Sequence, residues 1–407
     1  MSTIENTSRR RVRDYEGDRR ASDKRGRRKI NFSLLSIGKG IDIPFVLLIL
    51  VLLTIGITMM FSASYPVAYY EIGDSYYYLK RQLLFALIGL VIMFGVSFLD
   101  YHHYHRFAAV ILGLSYFALL LVLVLPSQEG GVHRWIGVVA FGIQASEISK
   151  FAIILFLAHW GSRYYDRMDT FKYGILPGAA VFLSTALLLL FEPHYSCIVI
   201  IGILTVIMLY VSGIKVKWLA IGAAILVALI LLLWVTGMLT YAMERMDGWG
   251  QALNEDLDRD MWNSTCQTRN SLYAIGSGGL FGLGLGQSRQ KYLYLPEPQN
   301  DFIFAIVCEE LGLVGAVIIL LIFALLVWRG VIIALRARDR FGKLLGIGLI
   351  SHIGLQVILN ILVITDWLPN TGISLPFFSY GGSSLLTLMF EMGVILSISR
   401  SSNIEKS

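Results

Sequence analysis

Long apolar runs, broken by short polar stretches, organise this chain from Ile43 to Ile398. Those long enough to be read as membrane spans lie near 43–63, 82–99, 107–126, 147–160, 173–191, 195–212, 218–238, 302–328, 344–364 and 380–398. A helix needs about 20 mostly apolar residues to cross a hydrocarbon core of about 30 Å. The 147–160 run is short, and a re-entrant approach would help it. Ten spans, an even number, put both chain ends on one side. The expected fold class is all-α: a polytopic membrane protein with about ten transmembrane helices and one long extracytoplasmic loop, 239–300. It divides into a tail (1–40), a membrane domain (41–400) and a short C-terminal tail (401–407).

Lys and Arg choose the side, because they accumulate in cytoplasmic loops. The N-terminal tail, Arg106, the 161–172 loop (Arg163, Arg167, Lys172), Lys215, Lys217 and the 329–343 loop all share one face. Both termini are thus expected in the cytoplasm of a cell whose plasma membrane holds the chain. Segments 64–81, 127–146, 192–194, 239–300 and 365–379 then face outward.

Composition agrees with the pattern. Of 407 residues only 15% are charged, and the mean hydropathy is +0.66, which excludes an ordinary soluble globular domain. The net charge of +6 owes much to clusters such as Arg9-Arg10-Arg11 and Arg27-Arg28-Lys29. No fold motif or aromatic interleaving accompanies them, so nucleic acid is not an expected partner. The tail reads as a disordered segment that sets topology and touches anionic membrane lipid. Its long charged lead is not that of a cleaved signal peptide. Cys197, Cys266 and Cys308 show no pair spacing, so neither a disulfide framework nor a zinc site is expected.

The stretch Cys266 to Gly315 departs from the apolar pattern. Gly276 to Gly286 reads GSGGLFGLGLG, which contains neither a P-loop nor a strand-led dinucleotide fingerprint. Close backbone packing explains such glycines slightly better than a ligand cradle does. Upstream, Glu255 to Asp260 resembles a calcium loop only superficially, since Met261 and Gln267 stand where an EF-hand needs Gly and Glu. Arg245 is either a phosphate anchor or a topological charge; spacing alone does not choose.

Asp301 opens the eighth apolar run, with Glu309 and Glu310 further in. At 100° per residue, Glu309 lies about 80° and Glu310 about 180° around from Asp301. An Asp at a helix start is often only a cap. Carboxylates within a span are costly and mark a cavity or a paired site. Glu147 and Lys150, at i and i+3, either neutralise each other or meet substrate; Glu391 is a further intramembrane charge. Arg134, between His133 and Trp135 in an outward loop, could grip a phosphate. His102, His103 and His105 read as an interfacial cluster, and His194 follows Pro193 at an outward break. Residues 368–384 are broken by Pro and Gly and rich in hydroxyls, a pattern tolerated at membrane depth only where the backbone is buried or lines a cavity. Segments 266–301 and 368–384 are expected to wall one outward-opening site.

Several motifs together resemble the SEDS family (FtsW, RodA, SpoVE). They are Phe61-Ser-Ala-Ser64, Lys80-Arg-Gln82, Arg134-Trp135, Gln144-x-Ser-Glu-x-x-Lys150 and the Ser271 to Gly282 run. Lys291-x-x-x-Leu-Pro-Glu297, Asp301-Phe-Ile-Phe-Ala305, Glu309-Glu-x-Gly312 and Leu375-Pro-Phe-Phe-Ser-Tyr-Gly-Gly-Ser-Ser384 complete the set. The chain departs from the family pattern at Ala145 (usually Pro), Asn270 (often Gln), His194 (usually Asp) and Asp366-Trp367 (usually Gly-Leu). None of these touches the Asp301 motif.

The resemblance implies a ten-span fold, a peptidoglycan glycosyltransferase acting on lipid II, a catalytic Asp at Asp301 and a class B penicillin-binding protein as transpeptidase partner. The expected reaction is inverting polymerisation on the outer leaflet, serving division, cell shape or sporulation, with Asp301 as general base. Arg134, Glu147, Lys150, Arg245, Gln267, Ser271, Lys291, Glu297, Ser379 and Ser383 are the expected contacts for lipid II and the polyprenyl-linked glycan. A departing diphosphate needs cationic help from Lys291, Arg245, Arg134 or Lys150, or from a divalent cation such as Mg or Mn. The rival readings are a flippase for the same lipid and a noncatalytic scaffold for a transpeptidase.

Overall fold

The computed structural model describes residues 40–125, 135–136, 142–192, 194–222, 248–254 and 259–402. Its helices are α1 (Ile43–Ile72), α2 (Tyr77–Phe98), α3 (His102–Val124), α4 (Ala145–Arg163), α5 (Ile175–Phe191) and α6 (Tyr195–Val211). They continue with α7 (Arg259–Ser264), α8 (Cys266–Ser277), α9 (Ile303–Leu335), α10 (Arg340–Ile364) and α11 (Gly382–Ser401). A two-residue antiparallel pair, β1 (Trp135–Ile136) with β2 (Ile143–Gln144), precedes α4. The chain is an all-α, multi-pass membrane protein with that one small exception among the described residues.

Local chemistry sets the helix ends. Asp42 caps α1 by accepting from the Phe45 N–H at 3.0 Å, with Pro44 in the first turn and Gly73 at the C-cap. Asp339 caps α10 through the Gly342 N–H at 3.2 Å.

The count of spans corrects the expected ten. Among the described residues six helices, α1, α2, α3, α9, α10 and α11, are long and apolar enough to cross a bilayer. The shortfall has physical causes. α5 and α6 are apolar but only 17 residues each, and α4 carries Glu147, Lys150 and Arg163. Most of the expected 218–238 span lies outside the described residues, as do most of the tail and most of the 239–258 half of the long loop.

The share of a helix facing inward places the core. It is 28% in α3 and in α9, but 61% in α10 and 72% in α11, so the last two are central. α11 lies along α2, where Gly382 faces Phe85, Gly89 faces Met389 and Gly393 faces Met93 and Val96. Lipid tails are as apolar as the side chains, so close fit rather than water exclusion drives such contacts.

Polar contacts divide between the two ends of the bundle. At one end Arg329 pairs with Asp42 at 2.8 Å, Tyr101 donates to Asp339, and Arg400 donates to the Ser97 carbonyl at 3.1 Å. The starts of α1, α3 and α10 thus meet the ends of α2, α9 and α11. Burial opposes ionisation of Asp100 there, yet hydrogen bonds from the His102 ring and N–H hold its carboxyl below the ordinary range. The opposite end gathers the residues that follow.

Candidate active site at the start of helix α9

The glycine run is a packing device. Gly312 breaks the α9 ladder with φ +67°. The Glu309 and Glu310 carbonyls, which would serve Leu313 and Val314 in an unbroken helix, accept instead from Leu283 and Gly284 at 3.0 Å each. Leu313 and Val314 donate in return to Gly279 (2.9 Å) and Leu280 (3.1 Å). A Cβ on Gly282 would stand 2.2 Å from the Glu310 carbonyl oxygen, and one on Gly312 would stand 2.3 Å from the Gly282 nitrogen. Backbone meets backbone here, and only glycine permits it.

The two glutamates hold the next stretch of the loop. The Glu310 carboxylate accepts from the Gly286 N–H (2.9 Å), the Ser288 N–H (3.3 Å), the Ser62 hydroxyl (2.8 Å) and Lys291 Nζ (2.8 Å). The Glu309 carboxylate accepts from the Ser288 hydroxyl and from the N–H groups of Arg289 (2.9 Å) and Gln290 (3.4 Å). Both carboxylates and Lys291 are fully buried. Lys291 Nζ also donates to Ser62 at 3.1 Å. The lysine expected to meet a departing phosphate is therefore committed inside the fold, and Glu309 is an anchor.

Asp301 sits two residues before α9. The N-cap position belongs to Phe302, which makes no side-chain capping bond, so the simple capping account of Asp301 does not describe its position. Its carbonyl accepts from Asn360 Nδ2 at 2.7 Å, and the same amide donates to the Ile373 carbonyl at 2.7 Å. Asn360, buried in α10, ties the Asp301 segment to the 366–381 segment. Gly372, at φ +70°, comes so close that a Cβ on it would stand 3.1 Å from Asp301 Oδ2.

The expected wall between 266–301 and 368–384 forms. Ser379 donates to the Asn300 carbonyl at 2.8 Å and accepts from the Leu375 N–H at 2.7 Å. The Tyr380 N–H donates to the Gln299 carbonyl at 2.8 Å. Gln267 accepts from Asn370 at 2.6 Å, and Ser271 donates to the Ile364 carbonyl at 2.9 Å. Exposed Glu297 accepts from Asn300 at 2.8 Å. At the rim, burial raises the Asp366 carboxyl, against N–H bonds from Gly250 and Ala252 that favour its charge.

A second polar cluster lies between helices. Lys150 pairs with Glu147 at 2.8 Å, both buried. His352 Nδ1 and Glu391 Oε2 are 3.0 Å apart on α10 and α11, leaving His352 Nε2 and Glu391 Oε1 without a partner among the described residues. Ser146 and Ser383 also keep buried hydroxyls without a partner there. Arg134 and Arg245 lie outside the described residues. Among the described residues no three His, Cys, Asp or Glu side chains converge as metal ligands. Among the described residues the donor set does not fit a divalent cation.

Sequence reasoning did not single out Ser62, Gln82, Asn360 or Gly372. Gln82 donates to the Ser379 carbonyl and accepts from the Gly381 N–H, at 3.4 Å each. Ser62 and Gln82 lie in noticed motifs, and Asn360 could have been found as one of two amides, with Gln356, in an apolar helix.

Comparison with known proteins gives a consistent answer. The chain is 42% identical over 361 residues to stage V sporulation protein E of Bacillus subtilis (strain 168), covering 88% of this chain and 97% of that protein. It is 36% identical over 363 residues to a probable peptidoglycan glycosyltransferase FtsW of Geobacter sulfurreducens (strain DL-1 / KN400), covering 88% and 95%. In fold it is similar to a chain of a peptidoglycan synthase complex (TM-score 0.71, 23% identity, 90% of this chain and 99% of that one). It is also similar to the rod shape determining protein RodA of Thermus thermophilus (TM-score 0.64, 24% identity, 90% and 99%). Residues 43–404 match the FtsW/RodA/SpoVE family, described as cell cycle protein, and with that match the chain is a member of this SEDS family.

Proposed function

We propose that the protein polymerises lipid II into glycan strands on the outer leaflet of a bacterial plasma membrane. The observation that carries this reading is the placement of Asp301: partly exposed, ahead of the α9 N-cap, its main chain fixed by Asn360 and its carboxylate beside Gly372. A general base must be held within reach of the proton it takes, and this carboxylate is held at the mouth of a wall built from two distant segments. The acceptor sugar hydroxyl attacks the anomeric carbon of the donor as Asp301 Oδ takes its proton. The glycosidic bond forms with inversion, and the polyprenyl diphosphate leaves with the electron pair of the broken C–O bond. Ser271, Ser379, Gln267 and Glu297 position the wall. Glu147, Lys150, Ser383, Arg134 and Arg245 are the remaining substrate contacts in this reading.

In the membrane both termini are cytoplasmic, as the Lys and Arg bias expects. A class B penicillin-binding protein is the transpeptidase partner, in line with the relatives named FtsW and the peptidoglycan synthase complex of similar fold. The buried Glu147–Lys150 and His352–Glu391 pairs favour a second reading, a flippase, in which Asp301 would be dispensable. Polymerisation of purified lipid II by purified protein, with and without the co-expressed partner, separates the two. Asp301→Asn keeps size and polarity while removing basicity; it should accumulate in the membrane and make no glycan. Synthesis at a near-normal rate by this variant would overturn the assignment.

A further inference from the structure

The loop that Glu309 and Glu310 anchor carries a groove of about 570 Å³ on its outer side, lined by Gly286 to Gln290 with Tyr292 and Tyr294. Two fully buried carboxylates fix its floor, so the groove is preorganised. Two of its polar side-chain groups are uncommitted. Among the described residues the exposed Arg289 guanidinium has no ion-pair, hydrogen-bond or ring partner. Gln290 Oε1 is buried there without one. Lys291 on the same loop is neutralised by Glu310, so it does not compete with Arg289 for an anion.

Beside the groove the same loop presents Leu280, Phe281, Leu283 and Leu285, all exposed; Phe281 reaches 81%. This lip is bonded to α9 at Glu309 to Val314, where Leu313 and Val314 are themselves exposed. The contact begins six residues past Ile303, about 9 Å along the helix axis at 1.5 Å per residue. The apolar lip therefore adjoins exposed apolar residues of α9, and the chain runs from the lip at Leu285 straight into the groove at Gly286.

We propose that this groove binds the phosphate-bearing headgroup of a membrane lipid, Arg289 gripping the phosphate while the lip receives the hydrocarbon chain. A guanidinium offers paired N–H donors that match phosphate oxygens, and Gln287, Gln290 and the two tyrosines supply amides and hydroxyls for whatever polar group the phosphate carries. Neither the lip nor the groove alone calls for both chemistries; a lipid phosphate does. The proposal rests on the glycosyltransferase reading only in choosing a prenyl diphosphate as one probe.

Isothermal titration of the full chain in maltoside micelles, which hold no phosphate, tests it without turnover. The probes are farnesyl diphosphate, farnesol, dihexanoyl phosphatidylglycerol and inorganic diphosphate. Farnesyl diphosphate should bind at least about tenfold tighter than farnesol, and Arg289→Gln should shrink that gap to about twofold, the loss of a charged hydrogen-bond pair. Arg289→Lys should keep most of it. Phe281→Asp should weaken farnesyl diphosphate about tenfold and leave inorganic diphosphate unchanged, a second route if Arg289→Gln fails to fold. Competition by phosphatidylglycerol would name ordinary phospholipid as the source, and its failure would name the prenyl diphosphate; both keep the lipid phosphate. Equal binding of farnesol, equal binding of inorganic diphosphate, or indifference to Arg289→Gln would overturn the proposal. The same titration on Asp301→Asn protein keeps this result separate from any failure of the polymerase reading.

Discussion

Gly372 and Asp301 are packed so closely that a β-carbon on the glycine would stand 3.1 Å from Oδ2 of the aspartate. Gly372 also occupies the left-handed region at φ +70°, where a side chain costs about 1–2 kcal/mol. Gly372→Ala should therefore shift the carboxylate rather than unfold the protein. Polymerisation of lipid II should fall at least about tenfold, since a displacement of about 1 Å spoils a reacting geometry, while membrane accumulation stays near the parent's. Parental activity in this variant would show that the carboxylate need not be held where it is.

Lys291 and Glu310 form a buried ion pair, and removing one partner of such a pair costs about 3–5 kcal/mol. Lys291→Met and Glu310→Gln should each lower the melting temperature and the amount of protein in the membrane. The double variant should recover part of the loss, because no unpaired charge remains. Normal accumulation of Lys291→Met alone would contradict the anchoring role.

The Glu147–Lys150 pair admits a charge swap. If the two residues only neutralise each other, Glu147→Lys with Lys150→Glu should restore both accumulation and activity lost in the single variants. If they meet substrate, the swapped protein should accumulate yet stay inactive. Our reading expects the second result, measured as glycan made per unit of purified protein.

Orientation can be read by thiol labelling in intact cells. With Cys266 replaced by serine, Ser264→Cys at the end of α7 should react with an impermeant reagent, and Ser401→Cys at the end of α11 should not. Labelling at position 401 would move the site to the wrong leaflet.

Much of this arrangement could be read from residues in sequence. The length of the apolar runs located α1, α2, α3, α9, α10 and α11, because each must satisfy its backbone internally in lipid. It overstated α4, since a run of apolar residues around Glu147 and Lys150 says little about how two buried charges are housed. The wall of the site was legible in the Pro/Gly-broken segments, whose irregular backbone needed partners. Which partners was not legible. Asn360 and Gly372 act through tertiary contacts with Asp301 some sixty and seventy residues away in the chain, and no local spacing encodes those. The pairing of Lys291 was not legible for the same reason: Ser62 and Glu310, which claim its ammonium, come together only in the fold.

The lateness of the wall has a consequence for biosynthesis. Chains emerge N-terminus first and their segments assemble in that order. Asp301 leaves the ribosome well before Gly372, which flanks it, Ser379, which ties down its neighbour Asn300, and Ile373, which shares the Asn360 amide with it. Nearly the whole protein must be inserted before the carboxylate acquires its surroundings. A chain interrupted near residue 370 would reach the membrane with the aspartate present and the neighbours that Gly372 and Ser379 supply still unmade.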